Sequence, residues 1–424
     1  MQTQEFLTIL DDQRAWFKSR DISNLVSRRE EEQLSLDSNL AQVVIGVRRC
    51  GKSTLCEKFL LEHKAECAYV NFDDERLFRL KAEDLNRMLE AIYILYEKDI
   101  NIFYFDEIQN VNAWPLFVNR LLRDGKKVFL TGSNAKLLGN ELMTHLTGRA
   151  KEIDLYPFSF TEYCEMRKIK FNSYSTKTKA SLESTLNEYL NEGGFPELMN
   201  ESDKRGYING LMNAIVIKDI SKRFKIRNVD VLYRMSGYLA DNFAQVFSPQ
   251  RIGKIFNISG HTAENYYHHL KEAFLFVGIP KFSFKAKDRV TGEKCYVTDL
   301  AFVSERSGTF SLQNIGWRLE NAVCIELLRR CRPLYYDIFY YKENSWEVDF
   351  MVTSAGKILG LYQVCYDMTS EKTFRREVQG LVKASEKFHC EDLNLITFEK
   401  IEDIHSGGKT IKVHSASRWL LCQE

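Results

Sequence analysis

Proline is scarce in this sequence, six residues in 424. With so few breakers and no low-complexity tract, the connections between folded parts are expected to be short and structured. No run of about 18 apolar residues occurs, which predicts no membrane span and no membrane partner. The opening Met1-Gln-Thr-Gln-Glu-Phe lacks a basic segment followed by an apolar one, so no secretory signal is visible. Ten cysteines are scattered without a C-x-x-C pair. That argues against a zinc ribbon and against a disulfide framework, and a reducing cytoplasm is the expected compartment. Net charge is lacking too: 59 Lys+Arg against 58 Asp+Glu leaves +1. Overall charge therefore points neither toward nor away from nucleic acid, and any basic surface must be local. No internal repeat is visible. A chain of 424 residues exceeds one ordinary core, so roughly two to four domains are expected.

What the chain does have is Gly46-Val-Arg48-Arg49-Cys50-Gly51-Lys52-Ser53-Thr54, the spacing of a phosphate-binding P-loop. A short apolar strand, Ala41 to Ile45, precedes it and a helical pattern from Thr54 to Leu61 follows. Glycines let such a loop curl so that its N–H groups face phosphate oxygens, and the helix N-terminus adds positive potential. Lys52 is expected to reach the β- and γ-phosphates of ATP, and Ser53 to hold Mg²⁺. Downstream, Asn101-Ile-Phe-Tyr-Phe-Asp106-Glu107 runs an apolar strand into two carboxylates. Asp106 suits the Mg²⁺ shell, and Glu107 suits the base that orients or deprotonates the attacking water.

Around these motifs the strands Val43–Ile45, Ala68–Phe72, Ile102–Phe105, Val128–Thr131 and Glu152–Leu155 alternate with helical segments. The pattern is doubly wound α/β, with its ligand at the carboxyl ends of the strands. Ser133 and Asn134, just past the fourth strand, are candidates to sense the γ-phosphate or place the water. A plain turn is the alternative. Arg149, before the fifth strand, is either an arginine finger for a neighbouring subunit's nucleotide or a surface Arg paired with an acid.

The segments GVRRCGKST, FYFDEIQNV, TGSNAKLLGNEL, LTGR and LYPFSFTEY resemble the prokaryotic AAA-type (AAA+) ATPases that carry a nuclease-like (PD-(D/E)XK-type) tail. GGFPE at 193–197, DISKRFKIRN at 219–228 and WEVDF at 346–350 extend the resemblance over nearly the whole chain. It implies an α/β P-loop AAA+ core with an N-terminal helical extension (1–156), a helical lid (157–228), a winged helix-turn-helix (229–300) and a restriction-endonuclease-like α/β tail (301–424). It also implies that Gly194 and Pro196 touch the nucleotide from the lid. By their residue types alone they are a helix stop and a proline. Arg223 is a second candidate for a phosphate-reading Arg.

In the 229–300 stretch, Ser248-Pro249 has the chemistry of a helix start. Thr262 to Leu270 is the candidate recognition helix, with Tyr266 and His269 as candidate DNA contacts. Lys281, Lys285, Lys287, Arg289 and Lys294, against Asp288 and Glu293, suit a wing lying on phosphates. Packing against a protein partner is the alternative. In the tail, Glu320, Asp349 and Gln363-Val-Cys365 line up with a nuclease pattern of a helix Glu, an Asp and (E/Q)-x-K. Cys365 stands where the pattern has Lys, so an inactive scaffold is expected. The functions under consideration are therefore an oligomeric ATPase that remodels DNA or a protein–DNA complex, a nucleotide-driven switch for a protein partner, and a metal-dependent nuclease.

Overall fold

The computed structural model describes residues 1–96, 100–132, 146, 148–171, 175–285, 292–306, 314–343, 345–366, 371–399 and 402–422. They form two compact units, Met1–Leu155 and Tyr156–Glu424.

The first unit is built on five strands: β1 (Ala41–Ile45), β2 (Cys67–Asn71), β3 (Ile102–Asp106), β4 (Lys127–Gly132) and β5 (Ala150–Asp154). All pair in parallel, in the order β2-β3-β4-β1-β5. Every residue of β1 is buried, as expected of a parallel strand covered on both faces; its one polar member, Gln42, pairs its side-chain amide with the Ser35 backbone. Ile45 is level with Gly132, and Asn71 with Asp106. The motif-bearing ends of β1 and β3 therefore lie at one end of the sheet. Helix Thr3–Lys18 buries Phe6, Ile9, Leu10 and Phe17, a helical stripe whose members each contribute roughly 2 kcal/mol by leaving water. Trp16 lies off that stripe; it is 45% exposed and stacks on Tyr69 at 5.7 Å.

The second unit opens with helices Phe160–Met166, Thr176–Glu192 and Lys204–Ala214, then a π-helical stretch Ile215–Ser221. Helix Thr176–Glu192 stops at Gly193, whose φ is +81°. A Cβ at Gly193 would lie 2.0 Å from Asp299 Oδ1, so only glycine fits. Three helices follow, Val229–Asp241, Pro249–Phe256 and Gly260–Glu272, with β6 (Gln245–Val246), β7 (Phe276–Ile279) and β8 (Lys294–Val297). These strands form an antiparallel sheet in the order β6-β8-β7. Ser248 caps its helix by accepting from the Arg251 N–H, with Pro249 in the first turn. The remainder includes helix Ile315–Cys331 and a six-stranded sheet: β9 (Asp337–Glu343), β10 (Trp346–Ser354), β11 (Lys357–Cys365), β12 (Leu393–Thr397), β13 (Ile404–Ser406) and β14 (Lys409–Ser415). Its order is β13-β14-β12-β11-β10-β9. Helix Glu371–Phe388 lays Val378, Leu381 and Ala384 over a core that includes Val348, Leu361, Leu395 and Val413.

Candidate nucleotide-binding site

The loop between β1 and helix Lys52–Glu62 is tightly built. A Cβ on Gly46 would fall 2.1 Å from the Leu155 carbonyl oxygen, so the first glycine is there for close approach. Gly51 takes φ +100° as the residue that caps the helix. Arg49 also has a left-handed φ of +66°; Arg48 is half-buried and Arg49 exposed. Cys50 is fully buried, and its thiol donates to the Leu155 carbonyl at 3.3 Å. Burial pushes that thiol up from its ordinary range, so Cys50 serves the loop as a packed residue. Lys52 is buried and donates to the carbonyls of Gly46 (3.2 Å) and Val47 (3.0 Å), its ammonium thus lying under the loop. Ser53 and Thr54 are half-buried on the first turn.

Ser53 Oγ donates to Asp106 Oδ1 at 2.8 Å, across from the end of β1 to the end of β3. Thr131, on β4, donates to the same oxygen. Burial raises the Asp106 carboxyl above its ordinary value against these two donors. Glu107 follows at φ +53°, a left-handed conformation that a residue with a Cβ adopts at a cost. Its Oε2 accepts from Gln109 Nε2. Burial raises its carboxyl too, with Lys52 pulling the other way. An alcohol and a carboxylate facing each other are the hard oxygen donors that Mg²⁺ takes, and a poised second carboxylate is what water activation needs.

Two residues here had no expected role. Thr131 carried a signal, a hydroxyl inside the apolar Val128–Thr131 run. Arg28, buried, donates from Nη1 to the Cys50 carbonyl at 3.1 Å, bracing the loop from a segment whose sequence shows no such pattern. Ser133 and Asn134 lie outside the described residues. Arg149 is exposed beside Asn119, to whose Oδ1 it donates at 2.6 Å. It precedes β5, at the opposite end of the sheet from Lys52. Five residues at about 3.3 Å each put roughly 16 Å of strand between the two ends, so Arg149 does not join the Lys52 site of the same chain.

In the second unit, Gly194 is buried and its N–H donates to Asp299 Oδ2 at 2.8 Å. Its Cβ position is filled by the Phe158 carbonyl. The Gly194 backbone is thus committed inside the unit, and Pro196 is half-buried at the start of a short 3-10 turn. Arg223 lies over the Phe224 ring at 5.6 Å.

The expected DNA contacts need correcting. Tyr266 is 7% exposed, on the face that packs inward. His269 is held by Glu272 at 3.1 Å and stacks on Phe224 at 3.8 Å. The outward face of helix Gly260–Glu272 is His261, Glu264, Asn265 and His268. Their place on the candidate recognition helix did not decide which way they face, because Tyr and His both carry an apolar body that packs well. Lys281 is half-buried beside β9, where the Phe282 N–H donates to the Tyr340 carbonyl at 2.7 Å. Lys285 is exposed, whereas Lys287 and Arg289 lie outside the described residues. Lys294 is buried and no part of a phosphate-facing surface.

The structure brings Glu320, Asp349 and Gln363 together. Gln363 Nε2 donates to Asp349 Oδ2 (2.8 Å) and to Glu377 Oε2 (2.6 Å). Tyr296 OH donates to Glu320 Oε1 at 2.7 Å. Burial drives the Asp349 carboxyl well above its ordinary value, with Glu320 adding to the effect and Lys294 opposing it. Cys365 is instead packed in the apolar core of the sheet. Glu347, two residues before Asp349 on one face of β10, and Glu377 were missed. The period of two along a strand was the available signal for the first.

A family model described as an AAA domain matches residues 38–164, the span that holds the P-loop and all five strands of the first sheet. A model described as a domain of unknown function matches residues 183–313. An uncharacterized protein of Methanocaldococcus jannaschii is 34% identical over 373 residues, 86% of this chain and 82% of that one. The chain belongs to that AAA-domain family. A second relative, an uncharacterized protein of Haemophilus influenzae, is 31% identical over 348 residues, 78% of this chain and 84% of its own length. Among solved structures, the Thermotoga maritima RuvB Holliday junction branch migration motor aligns over 62% of this chain and 94% of that one, at 13% identity and a TM-score of 0.31. AMPPCP-bound DnaA from Aquifex aeolicus aligns over 57% and 84%, at 15% identity and a TM-score of 0.25. Overlap at that level says nothing about residue roles. Among the described residues of this AAA-family chain, no helix is long and apolar enough to cross a membrane.

Proposed function

We propose that this AAA-family chain binds ATP with Mg²⁺, hydrolyses it, and works as a homo-oligomer that couples hydrolysis to remodelling of DNA or of a protein–DNA complex. The observation that carries the ATPase reading is the convergence of Lys52, Ser53, Asp106 and Glu107, with Ser53 Oγ 2.8 Å from Asp106 Oδ1. Lys52 exchanges its loop carbonyls for the β- and γ-phosphates. Ser53 and Asp106 would hold the Mg²⁺ that arrives with the nucleotide, which would supply positive charge beside the phosphate oxygens. Glu107, oriented by Gln109, takes up the proton of the attacking water at a carboxylate oxygen. Arg149, exposed and remote from its own site, is suited to a neighbouring subunit's nucleotide.

The DNA part of the reading is supported by the three helices and antiparallel sheet of residues 229–297, the arrangement of a winged helix. It is supported too by cations and polar groups on the exposed faces of helices Pro249–Phe256 and Gly260–Glu272: Arg251, Lys254, His261 and Asn265. Phosphate-facing cations position such a domain, and polar groups at base edges give it preference. The test is the rate of Mg²⁺-dependent ATP hydrolysis with and without single-stranded, duplex and branched DNA, with oligomer size measured in the same samples. The reading expects hydrolysis, a change in rate with at least one DNA form, and an assembly larger than a monomer. Hydrolysis indifferent to every DNA form would favour a switch that binds a protein partner.

A further inference from the structure

Lys294 is a buried lysine, 6% exposed, surrounded by acids. Its ammonium lies 2.6 Å from Glu347 Oε1, 3.1 Å from Glu320 Oε1 and 3.3 Å from Asp349 Oδ1. These carboxylates come from two elements: helix Ile315–Cys331 gives Glu320, and β10 gives Glu347 and Asp349. Lys294 itself comes from β8, in the three-stranded sheet. One cation thus holds carboxylates that would otherwise repel one another at short range.

A nuclease-like sheet implies a divalent cation among such acids. The residues present do not fit one. The ammonium already lies between Glu320 Oε1 and Asp349 Oδ1, bonded to both, where an ion bridging those oxygens would sit. Asp349 Oδ2 is already used by Gln363 Nε2 and by the Val364 N–H at 3.0 Å. Glu320 Oε1 also accepts from Tyr296. The remaining partner, Glu347, offers its second oxygen to Lys342 at 2.7 Å. Among the described residues, no group of three or more His, Cys, Asp or Glu is arranged to hold a metal ion.

We propose that Lys294 is a tethered counter-cation: its ammonium takes the seat that a metal would occupy between Glu320, Glu347 and Asp349, and in doing so joins the three-stranded sheet to the nuclease-like sheet. The consequence is specific. Each protein-bound divalent ion needs several convergent oxygen ligands, and in the wild type the ammonium lies among the oxygens that would converge on it. Removing the ammonium frees an oxygen on each of three carboxylates and creates the site that the wild type lacks.

Manganese binding measures this without reference to any activity. Nucleotide-free protein is titrated with Mn²⁺, and the free ion is followed by its paramagnetic resonance signal. Wild type and Asp349→Asn are expected to bind the same number of Mn²⁺ ions per chain. Lys294→Ala is expected to bind one more, and Lys294→Ala with Asp349→Asn is expected to lose that extra ion. Mn²⁺ should also raise the melting temperature of Lys294→Ala by more than it raises that of the wild type. The proposal is overturned by an ion that wild type binds and Asp349→Asn does not, or by a folded Lys294→Ala protein that gains none. If Lys294→Ala is insoluble, equal stoichiometry in wild type and Asp349→Asn still supports the filled seat, and unequal stoichiometry contradicts it.

Discussion

At the scale of the residue, the nucleotide site divides its work between groups whose loss has different signatures. In the proposed function Lys52 supplies a charge-assisted hydrogen bond to phosphate, a class worth roughly 1.5–3 kcal/mol. Lys52→Ala should therefore weaken ATP binding by about ten- to a hundredfold, measured by calorimetric or fluorescence titration, with the fold intact. Unchanged affinity would place the phosphates elsewhere. A second residue-scale prediction concerns Asp299, whose carboxyl is pushed up to about 6 by burial, against the Ala301 and Gly194 N–H donors that lower it. Its folded value lies above its unfolded one. The stability it contributes is thus full below about pH 4 and is lost as pH rises through about 6. Wild type should lose up to roughly 3 kcal/mol relative to Asp299→Asn between pH 4 and pH 7. Parallel pH dependence of the two proteins in denaturant melts would show that Asp299 is not the titrating group.

At the scale of the element, the first sheet was readable because its strands are short apolar runs punctuated by motif residues: Val43, Val44 and Ile45 ahead of the P-loop, Phe103 to Phe105 ahead of Asp106. What the sequence could not show was which polar residues face inward. Lys294 reads as one more cation in a basic stretch, and only the packing of β8 against helix Ile315–Cys331 and β10 reveals three carboxylates around it. Tyr266 reads as a groove-facing aromatic, yet the same helical period that exposes His261 and Asn265 turns it into the core. Long-range partners of this kind leave no local pattern. The position of Arg149 also belongs to this scale. It precedes an edge strand at the end of the sheet away from Lys52, so in the proposed homo-oligomer the nucleotide it serves is a neighbouring subunit's. Mixing Arg149→Ala protein with Lys52→Ala protein should restore part of the ATPase activity, because mixed assemblies contain some intact pairings. Mixed assemblies that form and stay inactive would remove Arg149 from that role.

At the scale of the whole molecule, the proposed function joins an ATPase unit to a second unit whose exposed Arg251, Lys254 and Lys285 would meet DNA phosphates. Each Lys or Arg that neutralises a duplex phosphate releases counterions, and the slope of log affinity against log salt shrinks by about 0.9 for each phosphate left without its cation. Replacing Arg251, Lys254 and Lys285 together by Ala should make that slope shallower by up to about 2.7, with DNA-free hydrolysis unchanged. An unchanged slope would turn attention to a protein partner. All of this rests on hydrolysis at the Lys52–Glu107 site. The most direct test is steady-state ATP turnover by wild type and Glu107→Gln, with ATP binding measured on the same preparations. The account predicts Mg²⁺-dependent turnover by the wild type, a loss of about 10²- to 10⁴-fold in Glu107→Gln, and ATP affinity retained in both. Wild-type turnover by Glu107→Gln, or a wild type that binds ATP without hydrolysing it, would contradict the central claim.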